Sequence, residues 1–336
     1  MVRRSYWILG FMCALASAGA WAADDDGVMG NWEGKFADAD WAVQPLRAKI
    51  VGEGSNTWRA IFYVGSDAGA HAKVEVPGIR KGEKDIQFSG DVDLGKDFGG
   101  KFTLEGSLTG EGVIAGTLKS KAKTIPFTLS RVFLKSPTEG ATPPEGAVVL
   151  MDGTDQDFER WHPVSRWQRK GPGRIGLAGG SYVSKAEFGS CQIHVEFITP
   201  YMPGERGQAR GNSGVYVQGR YEVQVLDNFG WDPADNLCGG IYKMAVPIAD
   251  AVFPPLSVQT YDITFHAPKF DATGKKTQNA KLHVVHNGVV IHDNLELPNG
   301  TPGGVSDQEA ATGPLLFQDH GDEVAYQNVW VKPIED

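Results

Sequence analysis

Arg210-Gly211-Asn212-Ser213-Gly214-Val215-Tyr216-Val217-Gln218-Gly219-Arg220-Tyr221-Glu222-Val223-Gln224-Val225-Leu226-Asp227 decides the fold class. Apolar and polar residues alternate one by one toward its end. That period of two puts Tyr221, Val223 and Val225 on one face of a strand and Glu222, Gln224 and Leu226 on the other. A solvated outer face would more often use Lys, Thr and Ser. A Glu and Gln row beside Arg210 and Asn212 better suits a concave, ligand-lined sheet backed by an apolar core. Glu222 and Asp227 are an odd five positions apart, so a straight strand points their carboxylates to opposite faces. Asp227 joins Glu222 only if the strand ends before it, and Asn228-Phe229-Gly230 has the composition of such a turn.

Strand signals run from Gly214 to Asp227 and continue on both sides: Gln192 to Ile198, Thr260 to His266, Leu282 to His292, Pro314 to Gln318 and Gln327 to Lys332. Asn287-Gly288 between β-branched runs specifies a type I′ hairpin. Counting outward from that turn sets His283 directly opposite His292. This spacing is one a metal could use, against the plainer reading of a polar outer face, and no third ligand is evident. Near the carboxyl end, Gln318-Asp319-His320-Gly321 ends a strand in an amide, an acid and an imidazole, where a histidine can exchange protons near neutral pH.

Upstream, Gly30 to Leu134 is a series of short alternating runs, among them Leu46 to Ile50, Trp58 to Val64 and Phe102 to Leu108. It reads as a small antiparallel barrel or sandwich, an accessory domain over residues 27–135. Residues 136–146 hold three prolines and no apolar period, which reads as a semi-rigid connector. A second domain then occupies 147–336. The expected fold class is all-β: a small barrel or sandwich followed by a jelly-roll β-sandwich, in keeping with 43 glycines in 336 residues.

Residues 1–23 pair Arg3 and Arg4 with an apolar run and an Ala-Trp-Ala end, the pattern of a cleaved secretory signal. The chain is expected to be exported, periplasmic or extracellular, without a membrane span in its mature form. The formal charge is −9, and it deepens by two without Arg3 and Arg4. That balance argues against nucleic acid as a partner. Cys191 and Cys238 are the thiols left after the leader, and spacing alone leaves their pairing open. No Gly-x-Ser-x-Gly, His-Glu-x-x-His or phosphate-loop motif occurs.

From about Ala147 to Ile334 the sequence resembles the 3-keto-disaccharide hydrolase family, which has a concanavalin-like jelly-roll fold. The motifs that carry the resemblance fall in family order. They are Val149 to Gly153 with Trp161, Gly211-Asn212-Ser213-Gly214, Tyr221 to Asp227, Gly240-Ile241-Tyr242, Tyr261-Asp262-Ile263, Gly313-Pro314, Gln318 to Gly321 and Gln327 to Trp330. The resemblance implies cleavage of glycosides already oxidised to a ketone at C3. That ketone acidifies the C2 proton, so one base, one acid and one group polarising the ketone suffice. On that reading Glu222 and His320 form the acid–base pair, and Asn212, Gln224 and Gln318 bind sugar hydroxyls. Tyr216 or Trp231 stacks on the ring. Arg210, or a divalent cation held by Glu222 and Asp227, stabilises the enolate, and no cofactor is firmly implied. The expected partner is an oligosaccharide or glycoside, 3-oxidised. Two other readings compete: a non-catalytic carbohydrate-binding jelly roll, and an ordinary glycosidase, which needs a second carboxylate facing Glu222.

Overall fold

The computed structural model describes residues 27–66, 71–82, 85–108, 112–163, 168–169, 173–177 and 179–335. Residues 1–23, read above as an export signal, lie outside them. Among the described residues no helix is long and apolar enough to cross a membrane.

The front half is a closed antiparallel barrel in simple chain order: β1 (Gly30–Phe36), β2 (Leu46–Gly54), β3 (Thr57–Gly65), β4 (His71–Arg80), β5 (Ile86–Asp93), β6 (Lys101–Leu108), β7 (Val113–Lys119) and β8 (Thr124–Val132). Closure comes from β8 pairing back onto β1, with Trp32 opposite Arg131, so the sheet has no open edge. Period-2 alternation sends Phe36, Ile50, Phe62, Phe88, Leu104, Ile114, Phe127 and Leu129 inward, all buried. Trp32 is buried with them and its indole N–H donates to the Val28 carbonyl at 3.0 Å. Of the two architectures expected for this half, the barrel is the one formed.

The rear half is a sandwich. Its strands are β9 (Val148–Met151), β10 (Gln168–Arg169), β11 (Ile175–Gly176), β12 (Tyr182–Phe188), β13 (Cys191–Ile198), β14 (Ser213–Val217), β15 (Tyr221–Val225), β16 (Gln259–His266), β17 (Lys269–Phe270), β18 (Lys276–Gln278), β19 (Ala280–His286), β20 (Val289–Leu297), β21 (Gly313–Phe317) and β22 (Ala325–Pro333). The larger sheet runs β10-β11-β22-β13-β16-β19-β20, with β9 also on β22. The smaller runs β12-β21-β14-β15, and β17 and β18 pair as a separate ribbon. Rings close the space between the two sheets. Phe317 of the small sheet stacks on Tyr326 of the large one at 3.9 Å, and Tyr221 meets Phe265 at 5.2 Å. The tyrosine hydroxyls are satisfied across the same gap: Tyr261 donates to the Gln224 carbonyl at 2.7 Å, and Tyr326 lies 2.7 Å from the Ser213 hydroxyl. Buried hydroxyls left unpaired would cost about 1–3 kcal/mol each.

Two local expectations are corrected. The run from Gly214 to Asp227 is two strands, broken at Gln218-Gly219, whose φ angles of 53° and 62° reverse the chain. The turn at Asn287-Gly288 forms as expected, with His286 opposite Val289. Bulges farther along the hairpin then put Val284, not His283, opposite His292. Each bulge shifts the alternation by one, so the two histidines part. His283 pairs with Asp293, while His292 is buried and bonds the Gly239 carbonyl at 2.7 Å. No group of three or more metal-ligating side chains occurs among the described residues. Cys191 and Cys238, whose pairing the sequence leaves open, are both free and buried, and burial pushes their thiols up to about 12 and about 11.

The proline-containing segment is bonded along its first half to the outer face of the large sheet. Ser136 and Thr138 hydroxyls meet Thr260 at 2.6 and 3.0 Å, Thr138 donates to Asp262 at 2.6 Å, and the Gly140 N–H donates to Glu196 at 2.5 Å. Beneath it, His194 lies 2.6 Å from Asp262 and 3.3 Å from Glu196 and stacks on Trp330. Against the cost of burial, these two carboxylates raise the His194 imidazole to about 9, so it is charged at neutral pH.

Candidate active site

The small sheet presents its apolar side to the core and a polar side outward. Val215, Val217, Tyr221, Val223 and Val225 fill the core, and Gly214, Tyr216, Glu222 and Gln224 form the other face. Register fixes their neighbours: Tyr216 stands opposite Glu222 and Gly214 opposite Gln224. On the other side of β14, the strand β21 places Leu316 beside Tyr216, and the Gln318 N–H donates to the Gly214 carbonyl at 3.0 Å. Four of the predicted residues are therefore brought together: Tyr216, Glu222, Gln224 and Gln318.

Loops wall this face, so its polar groups are buried. Glu222 is 6% exposed. Its N–H donates to the Thr301 hydroxyl at 2.9 Å, and the Tyr216 hydroxyl reaches the Pro302 carbonyl at 2.9 Å. Gln318 donates to the same tyrosine oxygen at 3.2 Å. Burial raises the Glu222 carboxyl to about 7, with the neighbouring Tyr216 hydroxyl opposing the shift.

Gly214 is what gives the carboxyl its place. A side-chain carbon there would stand 2.1 Å from the Glu222 carboxyl oxygen and 3.0 Å from the Tyr216 ring. Gly214→Ala must swing the carboxyl aside. The expected result is a loss of turnover of about 10²-fold, the cost of misplacing a reacting group by an ångström. A single-turnover assay beside a thermal melt checks that the fold survives.

An amide ladder extends the face. Asn212 is buried and accepts a bond from Gln224 at 2.9 Å, and it donates to the Gln208 carbonyl at 2.8 Å. Gln208 was not singled out in the sequence, because a lone Gln in a polar loop carries no period. Thr301 and Pro302 escaped notice for the same reason, although Gly303 and Gly304 after them signal a tight turn. A carbon on Gly303 would come 2.8 Å from the Tyr216 oxygen.

His320 lies between two ties to this face. Gln318 is bonded to Gly214, and the Asp322 carboxylate accepts the Asn212 N–H at 2.7 Å. Asp319 is held by the Gly180 and Gly321 N–H groups. His320 itself is exposed.

The structure does not open Arg210 to a ligand. Arg210 is 1% exposed, and its Nε donates to Asp227 at 2.7 Å while its guanidinium covers the Trp231 ring at 5.2 Å. β15 ends at Val225, as the turn composition allowed, yet Asp227 turns to Arg210 and to the Phe229 N–H at 3.3 Å. Both of its oxygens are engaged by Arg210 and the Phe229 N–H, so Asp227 is not free to hold a divalent cation together with Glu222. Burial raises the Asp227 carboxyl, opposed by that guanidinium. Trp231 is half-buried, with one ring face occupied by Arg210.

Among curated proteins no match is found. Among solved structures, a candidate glycosyl hydrolase from Parabacteroides distasonis ATCC 8503 is 32% identical, with a TM-score of 0.51. The match covers 57% of this chain and 85% of that one. Two further candidate glycosyl hydrolases from the same organism match at 20% and 16% identity, covering 60% and 56% of this chain and 99% of each of theirs, with TM-scores of 0.42 and 0.40. The model of the 3-keto-alpha-glucoside-1,2-lyase-like domain matches residues 146–332, which takes in every strand of the sandwich up to the end of β22 but its last residue. With more than half its length so matched, the chain belongs to the 3-keto-alpha-glucoside-1,2-lyase-like family.

Proposed function

We propose that this protein cleaves 3-keto-glycosides by removing the C2 proton and expelling the C1 substituent. The observation that carries this reading is Glu222, a carboxyl buried on a face shared with Tyr216 and the amides of Gln224, Asn212 and Gln318, where burial raises it to about 7. At neutral pH about half of such a group is ionised, and its carboxylate is a stronger base than an ordinary one. Glu222 takes the C2 proton, and the electron pair of that C–H bond passes into the C3 ketone as an enolate. The enolate then expels the C1 oxygen, and the aglycone leaves with a proton from His320 on the exposed side. Water adding across the new C1–C2 double bond gives net hydrolysis. The Gln318 amide supplies hydrogen bonds to the sugar, while the N–H groups of Asn212 and Gln224 are committed to the Gln208–Asn212–Gln224 ladder that holds this face in place. The family name denotes a 1,2-elimination on a 3-keto-α-glucoside, which this chemistry matches. The apolar, doubly arginine-headed leader supports export to the periplasm or beyond.

The test incubates purified protein with a 3-keto-glucoside and with its unoxidised parent. Cleavage of the ketone alone is expected, unchanged by chelator. Cleavage of the parent at a comparable rate, or binding of both without cleavage, overturns the proposal.

A further inference from the structure

We infer that the mouth of the front barrel is a second saccharide site, separate from the polar face of the sandwich. A cavity of about 340 Å³ opens there, lined by Trp41, Phe98, Phe102 and Ile125 and by Asp40, Gln44, Asp97, Ser120 and Lys123, among others. That volume is at the lower end of small-ligand sites, about 300 Å³ upward. Farther in, the barrel is filled by Phe36, Phe62, Phe127, Leu46 and Leu104, and the space left is about 10 Å³. Any ligand therefore sits at the mouth.

The chemistry of the lining narrows what it takes. Trp41 is half-buried, and its indole rests on Phe36, Phe98 and Phe102 with centroids 5.1, 5.8 and 5.8 Å away. Phe98 and Phe102 are themselves buried. The cavity thus has one supported aromatic platform, suited to the apolar C–H face of a sugar ring, and not the ring of aromatics that encloses an organic cation. Lys123 is bonded to both Asp38 and Asp40 at 2.9 Å, so the local cation is already neutralised and an anion gains nothing there. Gln44 and Asp97 hold no side-chain hydrogen bond among the described residues. An amide and a carboxylate on the rim of a stacking surface match the donors and acceptors of adjacent sugar hydroxyls. Choosing a saccharide over another neutral polyol rests on the function proposed for the sandwich.

The test titrates the full chain calorimetrically with cellobiose and maltose, and in separate arms with digalacturonate and with tetramethylammonium. Glu222→Gln is introduced throughout, so that turnover does not interfere. Binding of a neutral disaccharide is expected, weakened about tenfold by Trp41→Ala. Because Trp41 also packs on the barrel core, Gln44→Ala/Asp97→Ala is run beside it and should weaken binding without lowering the melting temperature. Isotherms indifferent to both changes, or heat only from the uronate or the ammonium ion, overturn the inference. Trp41→Ala with Glu222 intact should cleave a small 3-keto-glucoside at the wild-type rate. If Trp41-dependent binding is found in a protein that cleaves nothing, the sandwich reading fails while the barrel site stands.

Discussion

Glu222→Gln should lower 3-keto-glucoside cleavage by about 10² to 10⁴-fold, the usual contribution of a positioned acid–base group. Glutamine keeps the shape and can still receive the Tyr216 hydrogen bond, so the loss isolates proton transfer. With Glu222 as base, the wild-type rate should rise with pH through about 7 and level off above it. A rate that falls across the same range would make Glu222 the acid. The same substitution has a second readout. The folded carboxyl titrates near 7 against an ordinary 4.5, so the folded protein holds this proton more tightly than the unfolded chain. Below about 4.5 both states are protonated and folding is unaffected. Between about 4.5 and 7 the unfolded chain gives up this proton while the folded protein keeps it, so stability falls by up to about 3 kcal/mol and levels off above 7, where the native carboxyl ionises too. Glu222→Gln should abolish that slope, matching wild type at pH 4 and exceeding it at pH 8 in urea melts. Equal stability at both pH values would mean the carboxyl is not perturbed.

Arg210→Met should be the most destabilising single change in the sandwich. Removing it leaves Asp227 buried without its counter-charge, bonded still to the Phe229 N–H, a situation that costs about 3–5 kcal/mol. For a unit of this size that lowers the melting temperature by about 10 °C. The Asp227 N–H still donates to the main-chain carbonyl of residue 210, so the chain path into β14 is kept and the loss reports on the side-chain pair. Adding Asp227→Asn should restore much of the lost stability, because a neutral amide needs no counter-charge. If Arg210→Met melts within a degree of wild type, the pair is not what holds this corner.

The two faces of β15 were legible because side-chain direction in a strand depends only on parity. Glu222 and Gln224 opposite Tyr221, Val223 and Val225 needed no knowledge of the rest of the chain. The hairpin at Asn287 was legible for an equally local reason, since that pair tolerates the left-handed backbone. What parity cannot reveal is a slipped count. Bulges in the β19–β20 hairpin undid the expected meeting of His283 and His292, and no residue type announces them. Long-range pairing was equally hidden: Arg210 and Asp227 looked like two ligand-facing charges, and only the fold makes them each other's partner. The wall around Glu222 drew on Gln208, Thr301 and Pro302, polar or turn-forming residues whose role depends on where their loops land.

The bonds from Ser136, Thr138 and Gly140 to the large sheet bear on how the rear half can be isolated. A truncation begun at residue 146, where the family match starts, would strip those partners from Glu196, Thr260 and Asp262 and wet the charged His194 beneath them. A fragment for expression should begin at Lys135 instead, so that the excised sandwich keeps its own cover.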